Sequence, residues 1–246
     1  MSDGAGGTGV EAHRWSRYLL EKLPETPIKS FAELSAWQDS IWQSYFDTIQ
    51  TDLENNAPHA LDKFFTEGSS ATLISVWLEG TDKNKKAHIV SYGDSVICLF
   101  RAKTKEIKTN IQNLSIFLES PFLLNSNELP TEHGIYETWD IKKGDVLLIT
   151  SDTIGQFILS SYYILQESEK HEKVFEVIKN IPVRFADIFQ KLEEYYHNKP
   201  DDNWQIVLSM IYESLLSETA FKTYTEALKG FGIMGLDDYS VVWIKF

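Results

Sequence analysis

The chain has 246 residues, 43% of them hydrophobic and 13% aromatic, which is enough to bury a large core. Its formal net charge of −13 at pH 7 argues against nucleic-acid binding, which needs a basic surface, and its single cysteine, Cys98, excludes an internal disulfide framework. Because no apolar run reaches the ~20 residues of a membrane span and the N-terminus lacks the basic and apolar regions of a signal peptide, we expect a cytoplasmic protein that does not contact membranes.

The first predicted elements are a glycine-rich segment and two helices. Residues 3–9 contain four glycines, which predicts a special backbone path. An amphipathic segment over residues 10–23 is predicted to be helical and to end at Pro24. A second helix is predicted to begin after Ser30, because Ser30 and Glu33 form a capping-box pattern and large apolar residues then recur at spacings of three and four.

The middle of the chain is rich in β-strand signals. Apolar and β-branched runs broken by turn residues predict antiparallel strands. These runs are residues 71–78, 87–92, 95–101 and 106–111, with turns predicted at 82–86 and 102–105. Residues 112–140 show no regular pattern and are predicted to be irregular.

The C-terminal half is predicted to be mainly helical. An apolar strand at 146–150 precedes helical patterns that extend from about residue 154 to residue 228, and a last strand is predicted at 239–246. Residues 199–202 break the helical region, and Asn203 is predicted to cap the helix that follows. Because strands and helices do not alternate regularly, the order favours an α+β fold in which helices cover antiparallel sheets. Without a repeat or a linker, we predict one domain over residues 1–246.

Five short segments carry glycine, serine and aspartate in a distinctive order. They are Ser2–Gly7, Gly68–Thr72, Tyr92–Ser95, Gly144–Asp152 and Leu236–Val242. Together, and over nearly the whole chain, they resemble the motifs of the PPM (type 2C) metal-dependent serine/threonine protein phosphatases. The resemblance implies two antiparallel β-sheets packed face to face and flanked by helices.

The resemblance also implies a binuclear centre of Mn²⁺ or Mg²⁺. Asp3 would bridge the two metals, the Gly4 carbonyl would bind one of them, and Asp152 and Asp237 would complete the cluster. These hard cations prefer oxygen ligands, and two of them roughly 3.5–4 Å apart can activate water and neutralise a phosphoryl group. The implied reaction is hydrolysis of phosphoserine or phosphothreonine in a protein substrate by metal-activated water, without a phosphoenzyme. We expect a monomer.

Each candidate ligand also has a purely structural interpretation. Asp3 and Asp237 could be turn residues, and Asp152 could cap the helix that follows it. Asp94, in the Gly-Asp-Ser turn, is predicted to be structural, as is the buried thiol of Cys98. The six histidines form no metal-ligand spacing and are predicted to be exposed or satisfied in the core.

The sequence departs from the family pattern in three places. It begins inside the first metal motif, without the upstream strand whose Arg-x-x-Asn-Glu-Asp motif supplies a further ligand and a phosphate-binding arginine. We therefore expect absent N-terminal strands, an exposed sheet edge and a frayed Asp3. Thr153 replaces the usual glycine, which predicts altered geometry near Asp152. Ala5 stands where some members of the family have a histidine. Many bacterial-type members lack that histidine, as this chain does.

Two alternatives to an active phosphatase remain open. The departures favour weak or absent activity in this chain, and they are compatible with an impaired pseudophosphatase that binds a phosphopeptide or another partner. The segments Gly4–Gly9 and Gly230–Gly235 also match the dinucleotide-binding fingerprint, although neither has the strand-turn-helix surroundings that give this fingerprint its meaning.

Overall fold

The computed structural model of the protein describes residues 1–81, 84–166, 184–199 and 203–246. The predicted turn at 82–86 and the predicted helix break at 199–202 lie partly outside these ranges, as does part of the predicted helical region.

Helices and strands occur in blocks, as the sequence predicts for an α+β fold. The α-helices among the described residues are α1 (Ala12–Glu21), α2 (Phe31–Asn56), α3 (Leu61–Glu67), α4 (Asp152–Gln166), α5 (Arg184–His197), α6 (Trp204–Ser214) and α7 (Glu218–Gly230). The strands are β1 (Gly4–Gly9), β2 (Ser69–Ala71), β3 (Leu73–Glu79), β4 (Lys85–Tyr92), β5 (Val96–Phe100), β6 (Ile107–Thr109), β7 (Leu124–Asn125), β8 (Ile135–Ile141), β9 (Val146–Thr150) and β10 (Val241–Lys245). Short 3-10 helices lie at Pro58–Ala60 and Leu114–Leu118.

The chain divides into two compact units. The first unit contains residues 1–110, 121–149 and 244–246, and the second contains residues 111–120 and 150–243. Both units draw on separated stretches of sequence, so the single domain over residues 1–246 stays a prediction.

The first unit contains an antiparallel sheet in the order β3-β4-β8. The prediction that residues 112–140 are irregular is wrong at its C-terminal end, because β8 pairs with β4 along its whole length. In β8, Trp139 and Ile141 are buried, with the exposed Asp140 between them. This alternation is the signature of a half-buried strand.

A second sheet, in the order β10-β9-β5-β6, packs against the β3-β4-β8 sheet. Their shared core contains Ile74, Ile89 and Trp139 from the β3-β4-β8 sheet. The β10-β9-β5-β6 sheet contributes Ile97, Leu99, Leu147 and Ile149. The prediction of two antiparallel sheets packed face to face is therefore confirmed.

Helices α1, α2 and α3 cover the other face of the β3-β4-β8 sheet. Their apolar residues join Leu73, Val90 and Tyr92 in a second core that includes Trp15, Leu19, Leu34, Tyr45, Ile49 and Phe64. Helix α2 begins as predicted, since the Ser30 hydroxyl accepts a hydrogen bond from the Glu33 amide at 3.3 Å. The Glu33 carboxylate accepts from the Lys29 amide at 2.6 Å, which satisfies a further donor at this helix start.

The first nine residues run alongside residues 69–74. Strand β1 pairs with β2, and its register shifts between Gly4, opposite Ala71, and Gly9, opposite Ser69. Ahead of β1, the Met1 and Ile74 main chains exchange hydrogen bonds of 2.7 and 2.8 Å. The expectation of a frayed N-terminal segment is thus wrong, because its backbone groups are paired with a neighbouring strand.

The second unit is mainly helical. Helix α4 contacts α5, α6 and the Leu114–Leu118 segment, and α6 contacts α7. Asn203 caps α6 as predicted, since its side-chain oxygen accepts from the Gln205 and Ile206 amides at 3.0 and 3.3 Å. None of the helices within the described residues has the length and apolar character needed to cross a membrane.

Candidate metal centre

Asp152 lies where strand β9 gives way to helix α4. Strand β9 ends at Thr150 and α4 begins at Asp152, so the carboxylate is fixed by the junction of two regular elements. One of its oxygens, Oδ1, accepts a hydrogen bond from the amide of the next residue, Thr153, at 2.6 Å, whereas a helix N-cap accepts from an amide two or three residues further on. Burial, and then the negative charge of Asp237, raise the pKa of Asp152 above its ordinary range.

Asp237 lies near Asp152, because their chain neighbours Asp238 and Ser151 are joined by a hydrogen bond. It lies in the loop between α7 and β10 and is exposed. Its Oδ1 accepts from the Asp238 amide at 2.8 Å, as a turn residue would. The structure thus brings together two of the predicted ligands, and each carboxylate keeps oxygen lone pairs beyond the local bond it accepts.

Ser151 holds the loop that carries Asp237. Its buried hydroxyl donates to the Asp238 carbonyl oxygen at 3.0 Å and accepts from the Ser240 amide at 3.2 Å. The Ser151 amide also donates to the Ser240 carbonyl oxygen at 3.0 Å. We call these three hydrogen bonds the Ser151 clasp. Ser151 belongs to the Gly144–Asp152 motif, and no local signal in the sequence predicts this role for it.

Thr153 occupies the first turn of α4 with helical backbone geometry. A helical backbone requires no glycine at this position, so Thr153 is accommodated, and the expected change of geometry near Asp152 stays a prediction. The methyl group of Thr153 lies close to Gly235, where an added Cβ would come within 3.3 Å of Thr153 Cγ2. The side chain therefore fills space beside the Asp237 loop.

Asp3 and Gly4 belong to the first unit, whereas Asp152 and Asp237 belong to the second. A Cβ at Gly4 would lie 2.7 Å from the carbonyl carbon of Ala12, so α1 packs too closely for any side chain at this position. This contact gives Gly4 a packing role of its own. The four-residue metal site, including the bridging role of Asp3, stays a prediction.

Within the parts of the chain that the structure describes, no group of three or more His, Cys, Asp or Glu side chains is placed to hold a metal ion. Cys98 is buried in β5, and burial raises the pKa of its thiol to about 12, as expected for a core residue. His88 is also satisfied in the core, with Nε2 2.6 Å from Glu79 and Nδ1 2.9 Å from Thr138.

Asp145 is a buried carboxylate that sequence reasoning did not single out. It accepts hydrogen bonds from the Arg101 guanidinium at 2.7 Å, the Lys142 amide at 3.0 Å and the Ala102 amide at 3.1 Å. These donors account for both of its oxygens, so Asp145 holds the turn before β9.

The dinucleotide-binding alternative has no structural support in these segments. The Gly4–Gly9 segment is itself a strand paired with β2, and the Gly230–Gly235 segment follows α7 and precedes β10. Neither forms the glycine turn between a strand and a helix that cradles a pyrophosphate.

Comparison with solved structures finds serine/threonine phosphatases. The catalytic domain of PstP, solved in complex with two manganese ions, is 18% identical, with 78% of each chain covered and a TM-score of 0.41. The PstP/Ppp phosphatase of Mycobacterium tuberculosis is 18% identical over 71% of this chain and 78% of that chain, with a TM-score of 0.38. Stp1 from Staphylococcus aureus is 12% identical over 80% and 77%, with a TM-score of 0.39.

No family model matches the sequence, and no curated protein does. The identities and TM-scores to the solved structures are low, so a function is inferred from the motifs of this chain and from the contacts of its own residues.

Proposed function

We propose that the protein is a metal-dependent phosphatase that hydrolyses phosphoserine or phosphothreonine in a protein substrate. The observation that carries this proposal is the pair of carboxylates, Asp152 and Asp237, held together by the Ser151 clasp at the end of a buried strand. Their motifs are two of the five that resemble those of PPM phosphatases. The same proposal includes a cytoplasmic location and a monomeric state.

A divalent cation suits the chemistry of this carboxylate pair. Burial, and then the nearby negative charge of Asp237, disfavour the ionised form of Asp152, and its raised pKa expresses that cost. A hard cation such as Mn²⁺ or Mg²⁺ would offset the repulsion and accept the free carboxylate lone pairs. The ligands that we propose for this centre are Asp3, the Gly4 carbonyl, Asp152 and Asp237.

The chemistry that two such metals would supply at this site is activation of a water molecule and neutralisation of the phosphoryl oxygens. The contribution of the chain is to fix its carboxylates before the metal binds. Asp152 is fixed by the junction of β9 and α4, and Asp237 is fixed through the bonds of Ser151 to its loop. Attack by water breaks the P–O ester bond directly, so the serine or threonine hydroxyl leaves and no phosphoenzyme forms.

The test is hydrolysis of an aryl phosphate and of a phosphothreonine peptide, with and without Mn²⁺, by the full chain. Asp152→Asn removes one carboxylate charge at the site. Asp39→Asn makes the same chemical change on an exposed position of α2 and serves as the matched control. We expect Mn²⁺-dependent turnover in the wild type and in Asp39→Asn, and its loss in Asp152→Asn.

Other outcomes would change the proposal in defined ways. Mn²⁺ binding without turnover would favour the alternative of a partner-binding pseudophosphatase. Turnover that persists in Asp152→Asn would remove this carboxylate from the site. A trapped covalent phosphoenzyme would exclude direct attack by water.

A further inference from the structure

Thr72 and Ser95 belong to two motifs that the resemblance names, yet neither is a predicted metal ligand. Both side chains are buried, with exposed fractions of 5% and 1%. Thr72 lies between β2 and β3, Ser95 directly precedes β5, and their hydroxyl oxygens are 3.0 Å apart. Within the first unit, the Gly68–Thr72 and Tyr92–Ser95 motifs therefore meet through a pair of buried hydroxyl groups.

Thr72 is also bonded to the main chain of Asp3. Its Oγ1 accepts a hydrogen bond from the Asp3 amide at 3.1 Å, and its own amide donates to the Asp3 carbonyl oxygen at 2.8 Å. The Ser2 hydroxyl adds a bond of 2.6 Å to the Thr72 carbonyl oxygen. A hydroxyl has one proton and two lone pairs. The Thr72 hydroxyl can therefore accept a hydrogen bond from the Asp3 amide and also form a hydrogen bond with the Ser95 hydroxyl, in which either group can be the donor.

The surroundings of the hydroxyl pair leave Thr72 little freedom. Gly93 has a φ of 103°, and a Cβ there would come within 2.7 Å of Thr72 Cγ2, so the turn between β4 and β5 packs directly on this side chain. Ser95 is held in turn by Asn110, whose Nδ2 donates to the Ser95 carbonyl oxygen at 3.0 Å and to the Ser91 hydroxyl at 2.7 Å. The Thr72 hydroxyl is thus fixed from several sides.

We propose that Thr72, oriented by Ser95, is a positioning residue that fixes the main chain of Asp3 for metal binding. The inference depends on the proposed function, since it takes Asp3 as a metal ligand. It gives a physical role to the two motifs that contribute no ligand. Groups that orient a metal ligand typically change metal affinity by about 10–100-fold when they are removed.

The experiment compares Thr72→Val with Thr72→Ser in the full chain. Valine keeps the shape of threonine but loses the acceptor for the Asp3 amide, whereas serine keeps the acceptor. Ser75→Ala is the matched control, because Ser75 is equally buried in β3 but its hydroxyl has no hydrogen-bond partner among the described residues. Two quantities are measured: Mn²⁺ affinity by electron paramagnetic resonance of the free ion, and hydrogen exchange of the Asp3 amide by NMR.

We expect Thr72→Val to bind Mn²⁺ about 10-fold more weakly than the wild type and to exchange the amide hydrogen of Asp3 faster. For Thr72→Ser and Ser75→Ala, we expect both quantities to stay close to those of the wild type. If Thr72→Val does not fold, as judged by circular dichroism, Ser95→Ala replaces it and is expected to change both quantities in the same direction.

The two possible failures are distinguishable. Wild-type affinity and wild-type exchange in the Thr72→Val or Ser95→Ala variant, beside normal Mn²⁺ binding by the wild type, would overturn the positioning role alone. Absence of Mn²⁺ binding by the wild type would overturn the proposed function, and the role of Thr72 in metal binding with it.

Discussion

The Ser151 hydroxyl donates a hydrogen bond to the Asp238 carbonyl oxygen at 3.0 Å, although the two residues are 87 positions apart in the chain. The same hydroxyl accepts from the Ser240 amide, so it satisfies two backbone groups of the loop that carries Asp237. Ser151→Ala would leave both groups without this partner, and because Asp238 and Ser240 are exposed, the expected loss is that of a typical hydrogen bond, about 0.5–1.5 kcal/mol. We expect this loss in the free energy of unfolding, together with weaker Mn²⁺ binding.

The matched control for this prediction is Ser160→Ala in α4. Ser160 is as buried as Ser151, with an exposed fraction of 2% for each, but within the part of the chain that the structure describes its hydroxyl has no hydrogen-bond partner. Urea unfolding of the metal-free proteins measures both variants. An equal loss of unfolding free energy in both variants would mean that the two hydrogen bonds of the Ser151 hydroxyl add nothing to the stability that its packing provides.

Asp152→Asn is expected to have opposite effects with and without metal. In the metal-free protein above the ordinary pKa of an aspartate, the ionised Asp152 is disfavoured by burial and by Asp237, so replacing it with a neutral amide raises stability. Because the folded-state pKa of Asp152 is raised, the ionised carboxylate costs no stability at low pH, where it is protonated in both states. The loss of stability grows as the pH rises from the unfolded-state pKa towards the raised folded-state pKa. With metal, the variant lacks a ligand, and we expect turnover to fall by at least about 100-fold.

Thermal unfolding in the presence of a chelator measures the effect on stability, and Mn²⁺-dependent hydrolysis of an aryl phosphate measures the effect on turnover. The prediction is contradicted if metal-free Asp152→Asn unfolds at or below the wild-type temperature.

Mn²⁺ is expected to stabilise the wild type through preferential binding to the folded state. At 100 times its Kd, a single ligand adds about 2.7 kcal/mol, and each kcal/mol raises the Tm of a chain of this size by about 2–4 °C. Asp237→Asn is expected to reduce this shift, and the exposed Asp39→Asn variant is expected to keep it. Differential scanning calorimetry at increasing Mn²⁺ measures the shift, and an unchanged Tm at millimolar Mn²⁺ would count against the site.

The pair formed by Glu79 and His88 predicts a pH-dependent contribution to stability away from the candidate metal centre. The hydrogen bond from His88, followed by its charge, lowers the pKa of Glu79 below its ordinary value of 4.5. A lowered folded-state pKa means that the ionised carboxylate stabilises the fold above the unfolded-state pKa, and that this stabilisation is lost as the pH falls through the folded-state value.

The measurement compares wild type with Glu79→Gln by urea unfolding between pH 7 and acidic pH. We expect the advantage of the wild type to be constant near neutrality and to shrink below about pH 4.5, the ordinary value for this group. Glu106→Gln, at an exposed position before β6, serves as the control. A difference that does not depend on pH would exclude the His88 bond as its cause.

Local signals in the sequence identified the elements whose structure is decided by near neighbours. The Ser30 and Asn203 caps could be predicted because a cap is a bond between a side chain and amides two or three residues away. Strands β4, β5 and β9 could be predicted because their apolar runs are bounded by turn residues. The resemblance to PPM motifs likewise selected Asp152 and Asp237 as candidate ligands from the sequence.

Tertiary structure decided the features that depend on distant partners. Strand β8 has a short alternating pattern that is ambiguous until β4 pairs with it, and the glycines of β1 adopt a strand because β2 provides its backbone partners. The sequence by itself determined which residues carry carboxylates and hydroxyls and where strands and helices end. Only the folded chain decided that Ser151 holds the Asp237 loop and that Thr72 bonds to Asp3, because such contacts need side chains brought together across long sequence separations.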